Sequence, residues 1–429
     1  MLNIKNNYLI KLLMSTFIAK VFVSFGGILL SFVISRLYGV DVLGDFFIFQ
    51  ISVITISVIL SLGMNETIVL FVSKYIKEVD ISLYLKYSII LSGLLFLLFS
   101  LITSLLNINF LPSSYKVIAS NKYLFLISIY SCLINTLLSG FMRGVKKPAY
   151  SVLLENGVVA IISIIIIALN SLLTNNSDIN IAYMYCYSSA IVTLFCLYKF
   201  KTKFSSTLRK PNKDEIRSFF RKNWSFYSMV LCGLVSTSFI SLYLGYKLDS
   251  EDVALFRVMQ QVCTLISFSL IILNAVMPAY ISGLFTENSL KKIENISIKT
   301  SIYATLLSLP IYLVCIIFPA EIFSYFNINA NSLSLIILAS AQLFNVSTGS
   351  VASVLKMCGL ERELNYIIIS TSFISLSVLV ILTPIYGVLG AVIASSCILI
   401  IQNFLSLILV KLKLGISTVF YIWRSPREV

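Results

Sequence analysis

The chain has 429 residues, 58% hydrophobic and 12% charged, with 32 Lys and Arg against 18 Asp and Glu, a net charge of +14 and no histidine. At about 20 apolar residues per crossing, most of such a chain lies within a bilayer, and little is left for a soluble domain. The missing histidine removes Ser-His-Asp catalysis, His-ligated metal sites and a histidine proton relay, and no glycine-rich phosphate loop is present, so neither an enzyme nor a bound cofactor is expected.

The opening MLNIKNNYLIKLL carries two lysines ahead of the first apolar run. That run outlasts a signal peptide and has no small-residue cleavage site, so it reads as a retained span over 12–34. Lys20 lies inside it. The second span, 46–65, ends at GMNET with Glu66. The third and fourth cover 83–106 and 123–141, and the basic cluster Arg143, Lys146 and Lys147 follows at the inner end of the fourth. Glu155 sits about one turn into the fifth span (151–169), and the sixth covers 180–198. Next comes the richest basic segment, KFKTKFSSTLRKPNKDEIRSFFRKNW, residues 199–224. It reads as an anchor on the anionic inner leaflet or as a contact surface for a cytoplasmic partner. The seventh span is 225–246. The eighth, 256–280, has Arg257 in its first turn, with Gln260, Gln261, Asn274 and Pro278 following, and the preceding Asp249, Glu251 and Asp252 are potential partners for the arginine. Spans at 300–318, 333–355, 365–383 and 387–410 complete the set, with Pro310 in the ninth.

The reading is an all-α integral membrane protein of about twelve transmembrane helices. It divides into an N-terminal six-helix lobe (1–200), a basic cytoplasmic linker (201–224), a C-terminal six-helix lobe (225–410) and a cytoplasmic tail (411–429). Counted over the loops, 26 of the 32 basic residues fall on one side and 5 on the other, Lys20 being the last. That bias places both termini in the cytoplasm, and it explains the positive charge by orientation in an inner membrane, without nucleic acid. The eight cysteines fall mostly inside apolar runs without CxxC pairs and read as small packing residues.

The halves also correspond weakly. Aligning Phe46 with Phe256 matches Asp41 with Glu251, and FMRGVKK (141–147) against KMCGLER (356–362) matches Gly144 with Gly359, at offsets of 210 and 215. Repeats of this kind belong to transporters with a substrate site between the halves. The short outer loops argue against a glycosyltransferase or polymerase. The segment FVSKYIKEVDIS lacks the loop signature of major-facilitator transporters.

Three stretches carry a family resemblance: SRLYGVDVLGDFFIFQ after the first span, LLSGFMRGVKKPAYSVLLEN from the fourth into the fifth, and DVALFRVMQQ leading to NAVMPAY in the eighth. They resemble the multidrug/oligosaccharidyl-lipid/polysaccharide exporter superfamily, and within it the flippases of O-antigen and polysaccharide repeat units, the Wzx type. The resemblance implies two six-helix lobes around a central cavity that opens alternately to either side. The cargo would be an undecaprenyl-diphosphate-linked oligosaccharide, with membrane lipids, a polysaccharide polymerase and a chain-length regulator as partners. A multidrug or cation antiporter on the same fold is the alternative, and it would need intramembrane carboxylates, for which Glu66 and Glu155 are the candidates. A noncatalytic scaffold leaves the buried charge unexplained.

On the flippase reading, Arg143, Lys146 and Lys147 form either a landing site for a diphosphate or simple positive-inside anchoring. In the related lipid II flippases an arginine at the position of Arg257 lines the cavity, and Gln261 at i+4 shares its face. Asn274 and Pro278 mark either a hinge or local repair of a bent helix. Lys20 falls on a stripe with Thr16, Ser24, Gly27 and Ser31. That stripe faces either a wet cavity, where the lysine meets the diphosphate, or another helix, where Glu155 or Glu66 pairs with it.

Overall fold

The computed structural model describes the backbone of residues 2–75, 79–105, 112–173, 180–201, 209–234 and 238–419. It describes their side chains except at 2–13, 155, 156, 171–173, 199–201, 225, 229, 275, 276 and 279. Among these residues every named element is helical.

Chain order runs α1 (Leu2–Tyr38), α2 (Val40–Leu60), α3 (Met64–Tyr75), α4 (Ser82–Leu105), α5 (Lys116–Ser120), α6 (Lys122–Gly144), α7 (Pro148–Val152), α8 (Val158–Leu173) and α9 (Ile181–Lys201). It continues with α10 (Lys213–Leu234), α11 (Ile240–Lys247), α12 (Ser250–Ile266), α13 (Phe268–Thr286), α14 (Leu290–Ile317), α15 (Pro319–Tyr325), α16 (Ser332–Ser347), α17 (Val351–Met357), α18 (Glu361–Tyr386) and α19 (Val388–Leu414). Each of the twelve expected spans holds helix, either as one element or as a broken pair. Among the described residues eight helices are long and apolar enough to cross a membrane, or ten if two bent pairs count as single spans. In the remaining two expected spans, α7 meets α8 through a π turn at Leu153–Gly157, and residues 235–237 between α10 and α11 lie outside the described residues.

The breaks are not where proline would put them. Pro278 and Pro310 lie inside α13 and α14, whose assignments run on through them. The eighth span instead bends by 59° between α12 and α13, at Ser267. There the Ser267 hydroxyl donates to the Thr264 carbonyl at 2.8 Å, and the Thr264 hydroxyl donates to the Gln260 carbonyl at 2.7 Å, so side chains compete for the helix acceptors. The second span divides at Leu62 and Gly63, which have φ of 49° and 76°, and Glu66 therefore starts a new helix and does not end an old one. The tenth bends by 40° beside Gly349, at φ 65°.

The half-chain correspondence has a structural counterpart. Helices α2 and α12 begin at Val40 and Ser250, 210 residues apart, and the aligned Asp41 and Glu251 stand in their first turns.

Two compact units emerge, Met1–Ala254 and Leu255–Val429, so the packing boundary falls inside α12, beyond the expected linker. The reason lies in α10 and α11, which pack on the first unit. Phe219 is fully buried, with its ring centroid 5.3 Å from those of both Tyr84 and Phe71. Thr67 donates to the Asn223 side-chain oxygen at 2.9 Å, and Tyr115 donates to the Leu242 carbonyl at 2.6 Å. Among its described residues the expected linker is largely helix; its residues 202–208, like 420–429 of the tail, lie outside the described residues. Arg209 pairs with Glu215 through two bonds of 2.7 and 3.0 Å and holds that carboxyl below the usual carboxylate range. Opposite the buried Phe219 and Asn223, α10 exposes Arg217, Arg221 and Trp224. The second unit closes around Met277, Ile281, Ile293, Val354, Leu364 and Val410, drawn from α13, α14, α17, α18 and α19.

Two glycines one turn apart, Gly140 and Gly144, let α3 lie almost on the backbone of α6. A Cβ on Gly140 would collide with the Asn65 carbonyl, and one on Gly144 would come within 2.7 Å of the Val72 Cβ. Helices in lipid gain from this close approach because dispersion contacts replace a hydrophobic drive. Gly140→Ala is expected to cost about 1–3 kcal/mol, the usual penalty for overpacking, since the opposing atoms are backbone. Thermal unfolding in detergent checks this against Gly93→Ala, whose Cβ would meet nothing within 4 Å. Equal midpoints for the two variants would contradict the packing.

Candidate functional site

The charges carried by the membrane helices define the site. Along α1, Ile18, Phe22, Phe25 and Leu29 are 61, 54, 54 and 51% exposed and form the lipid-facing side. Lys20, two positions on from Ile18, lies about 160° round the helix, on the opposite side. Its stripe follows the expected course: Thr16, Lys20, Ser24 and Gly27 are half-buried, Ser31 is buried, and the Ser31 hydroxyl donates to the Gly27 carbonyl at 3.0 Å. The flank beside this stripe packs against the fifth span, where a Cβ added to Gly26 would lie 3.6 Å from Ile161 and Val23 fills the space a Gly157 side chain would need. A lysine at membrane depth costs about 2.5–3.5 kcal/mol on insertion scales unless water or a partner meets it. Glu66 is not that partner, and the side chain of Glu155 lies outside the described residues.

Glu66 is engaged by Arg143. The arginine Nη1 stands 2.9 Å from Glu66 Oε1, with the two side chains 31 and 37% exposed, and Asn65 Nδ2 lies 3.5 Å from the same oxygen. The tight seat of α3 on α6 brings these groups together across 77 positions of chain. Half-exposed pairs of this kind contribute about 0.2–1 kcal/mol, so the link positions the start of α3 against the end of α6 more than it stabilises them. It also divides the expected basic cluster. Arg143 belongs to the last turn of α6, whereas Lys146, at φ 62°, and Lys147 sit exposed in the turn before α7.

Arg257 stands two turns inside its helix because α12 starts at Ser250, earlier than expected. It is half-buried, and its Nη1 donates to Gln260 Oε1 at 2.9 Å; Gln261 is half-buried one position on. Among the acidic residues that precede it, Ser250 ties the start of α12 to α2 by donating to Asp45 at 2.6 Å. Asn274 is exposed and accepts from the Ser353 hydroxyl of α17 at 3.3 Å, a contact between helices in place of the expected repair at Pro278.

Sequence reasoning missed a chain of amides in the second unit. Asn403 Nδ2 donates to Asn345 Oδ1 at 2.9 Å, and Asn345 Nδ2 donates to Gln342 Oε1 at 3.1 Å. All three are half-buried on α16 and α19. Only the rarity of amides in such apolar runs hinted at them; their separation of 58 positions gave no motif.

Apolar spans, helices broken at hydroxyl and glycine positions, and cations on the side of a span away from lipid define a multi-pass membrane protein with charge inside its spans. The match of residues 9–284 to the model of the polysaccharide biosynthesis protein family makes the relation specific: the chain belongs to that family. No curated protein sequence matches the chain. Among solved structures it is similar to a MOP superfamily transporter from Pyrococcus furiosus, described by a reversed polarity of its binding pocket, at 14% identity over 95% of both chains and a TM-score of 0.62. It is also similar to a multidrug resistance MATE family transporter in its outward-facing conformation, at 13% identity over 95% of both chains and a TM-score of 0.61. A MATE protein in the bent conformation matches at 14% identity, 95% coverage of both chains and a TM-score of 0.62. The fold is that of the MOP superfamily.

Proposed function

We propose that the chain is a flippase that carries undecaprenyl-diphosphate-linked oligosaccharide repeat units, of O-antigen or a similar polysaccharide, across the bacterial inner membrane by alternating access. The observation that carries this reading is the family match over 9–284, which includes the α1 lysine. The chemistry agrees with it. A diphosphate entering a low-dielectric span needs fixed positive charge, and each unit carries a cation within a span, Lys20 in the first and Arg257 in the second, with Lys146 and Lys147 exposed just after α6. With the basic side cytoplasmic, both termini lie inside, and the unit is handed on the outer face to a polymerase and a chain-length regulator. An antiporter would need a membrane carboxylate free to exchange its cation, and the ion pair with Arg143 withdraws Glu66 from that role.

Complementation tests the reading. The chain is expected to restore surface polysaccharide in a strain lacking its own repeat-unit flippase, and to leave resistance to cationic drugs unchanged when expressed in a strain lacking its efflux pumps. Drug resistance without restored polysaccharide would replace the flippase with the antiporter.

A further inference from the structure

The chain of amides has a fixed polarity. Asn403 Nδ2 also donates to the Leu399 backbone carbonyl at 2.8 Å, and a carbonyl can only accept, so the nitrogen of Asn403 must be on that side. Asn345 then presents its oxygen to Asn403 and its nitrogen to Gln342, which accepts through Oε1. The Gln342 NH2 group is left with both hydrogens undirected, and Asn345 has one to spare. Among the described residues none of these N–H groups, nor Asn403 Oδ1, has a partner.

Depth makes this costly. Gln342 lies about 15 Å from the start of α16 and Asn403 about 22 Å from the start of α19, at 1.5 Å per residue, well inside an apolar core about 30 Å thick. Polar groups at that depth persist only against protein or water. The exposed residues of α19 in this stretch, Ile400, Phe404, Ile408 and Leu412, mark its lipid side, and α16 has no exposed residue after Leu333. Gln342 and Asn345 therefore stand on a stretch of α16 without a lipid-facing side, and at this depth their half-exposed amides require water or a polar ligand. One turn beyond, the Thr348 hydroxyl donates to the Asn345 carbonyl at 2.7 Å, and the helix breaks at Gly349, so the site lies at a discontinuous span of the kind that binds substrates in transporters.

We propose that Gln342, Asn345 and Asn403 form a binding site for the sugar portion of the cargo, with the Gln342 and Asn345 N–H groups donating to glycan oxygens and Asn403 Oδ1 accepting from a hydroxyl. The proposal rests on the flippase reading and assigns it a glycan site separate from the charges that hold the diphosphate. A neutral amide edge pairing donors with an acceptor matches the vicinal hydroxyls of a pyranose and gives no charge to a bare diphosphate.

The test uses the full-length protein in nanodiscs and two probes: the lipid-linked repeat unit extracted from the source strain, and undecaprenyl diphosphate without sugar. Wild type is expected to bind the first about tenfold more tightly than the second, the worth of one or two net hydrogen bonds. Gln342→Met should abolish that preference and leave undecaprenyl diphosphate binding unchanged. In Gln342→Glu the carboxylate still accepts from Asn345, which keeps the amide chain assembled, but its donors are gone and the preference should again be lost. Retention of the preference in both variants, or an equal loss for both probes, overturns the glycan site while sparing the flippase. Failure of wild type to bind either probe overturns the flippase reading and the site with it.

Discussion

Lys20→Gln is expected to lower transport of lipid-linked repeat units about 10- to 100-fold, and Lys20→Glu to abolish it, with both proteins inserted in the membrane at normal level. The magnitude is that of one charge-assisted hydrogen bond, about 1.5–3 kcal/mol. Lys20→Arg should retain most activity, because the stripe opposite the lipid face requires charge more than shape. Surface polysaccharide and membrane abundance, measured side by side, decide. The competing account makes the lysine half of an ion pair, and Glu66 no longer qualifies because Arg143 holds it at 2.9 Å. Recovery of Lys20→Glu by Glu155→Lys would establish the pair and end the substrate role.

Arg257→Ala should be comparably severe. Its guanidinium is half-buried two turns within α12 and tethered at 2.9 Å to Gln260, which fixes the planar fork that suits phosphate oxygens. Arg257→Lys keeps the charge and loses the fork, so partial activity is expected. A structural role would lower the unfolding midpoint of the Ala variant without weakening its binding of undecaprenyl diphosphate. The substrate role weakens that binding at an unchanged midpoint.

The sequence made the apolar spans legible because twenty consecutive apolar residues have few other uses, and the matching starts of α2 and α12 follow the repeat read from Asp41 and Glu251. It did not reveal how those spans break. Proline is the visible signal for a kink, but Pro278 and Pro310 sit inside continuous helices while Ser267 and Gly349 take the bends. Hydroxyls that back-bond to carbonyls look identical in sequence to hydroxyls that do not. The close approach at Gly140 and Gly144 was present as a small-residue pair one turn apart, and it foretells contact without naming α3 as the partner. Long-range pairs fared worst. Nothing local links Glu66 to Arg143, or Asn345 to Asn403. Charge marked 201–224 as a linker, and nothing local shows that Phe219 and Asn223 inside it are buried against α3 and α4.

The anchored α10 also has a spectroscopic consequence. The chain contains two tryptophans, and Trp224, adjacent to the buried Asn223, is 74% exposed on the same face as Arg217 and Arg221. An indole held at the rim of a bilayer emits at a wavelength set by its depth, and brominated acyl chains quench it according to the position of the bromine. With Trp423 replaced by phenylalanine, the remaining emission becomes a ruler for how far the basic face of α10 sinks among the headgroups, read on the intact protein without any added label.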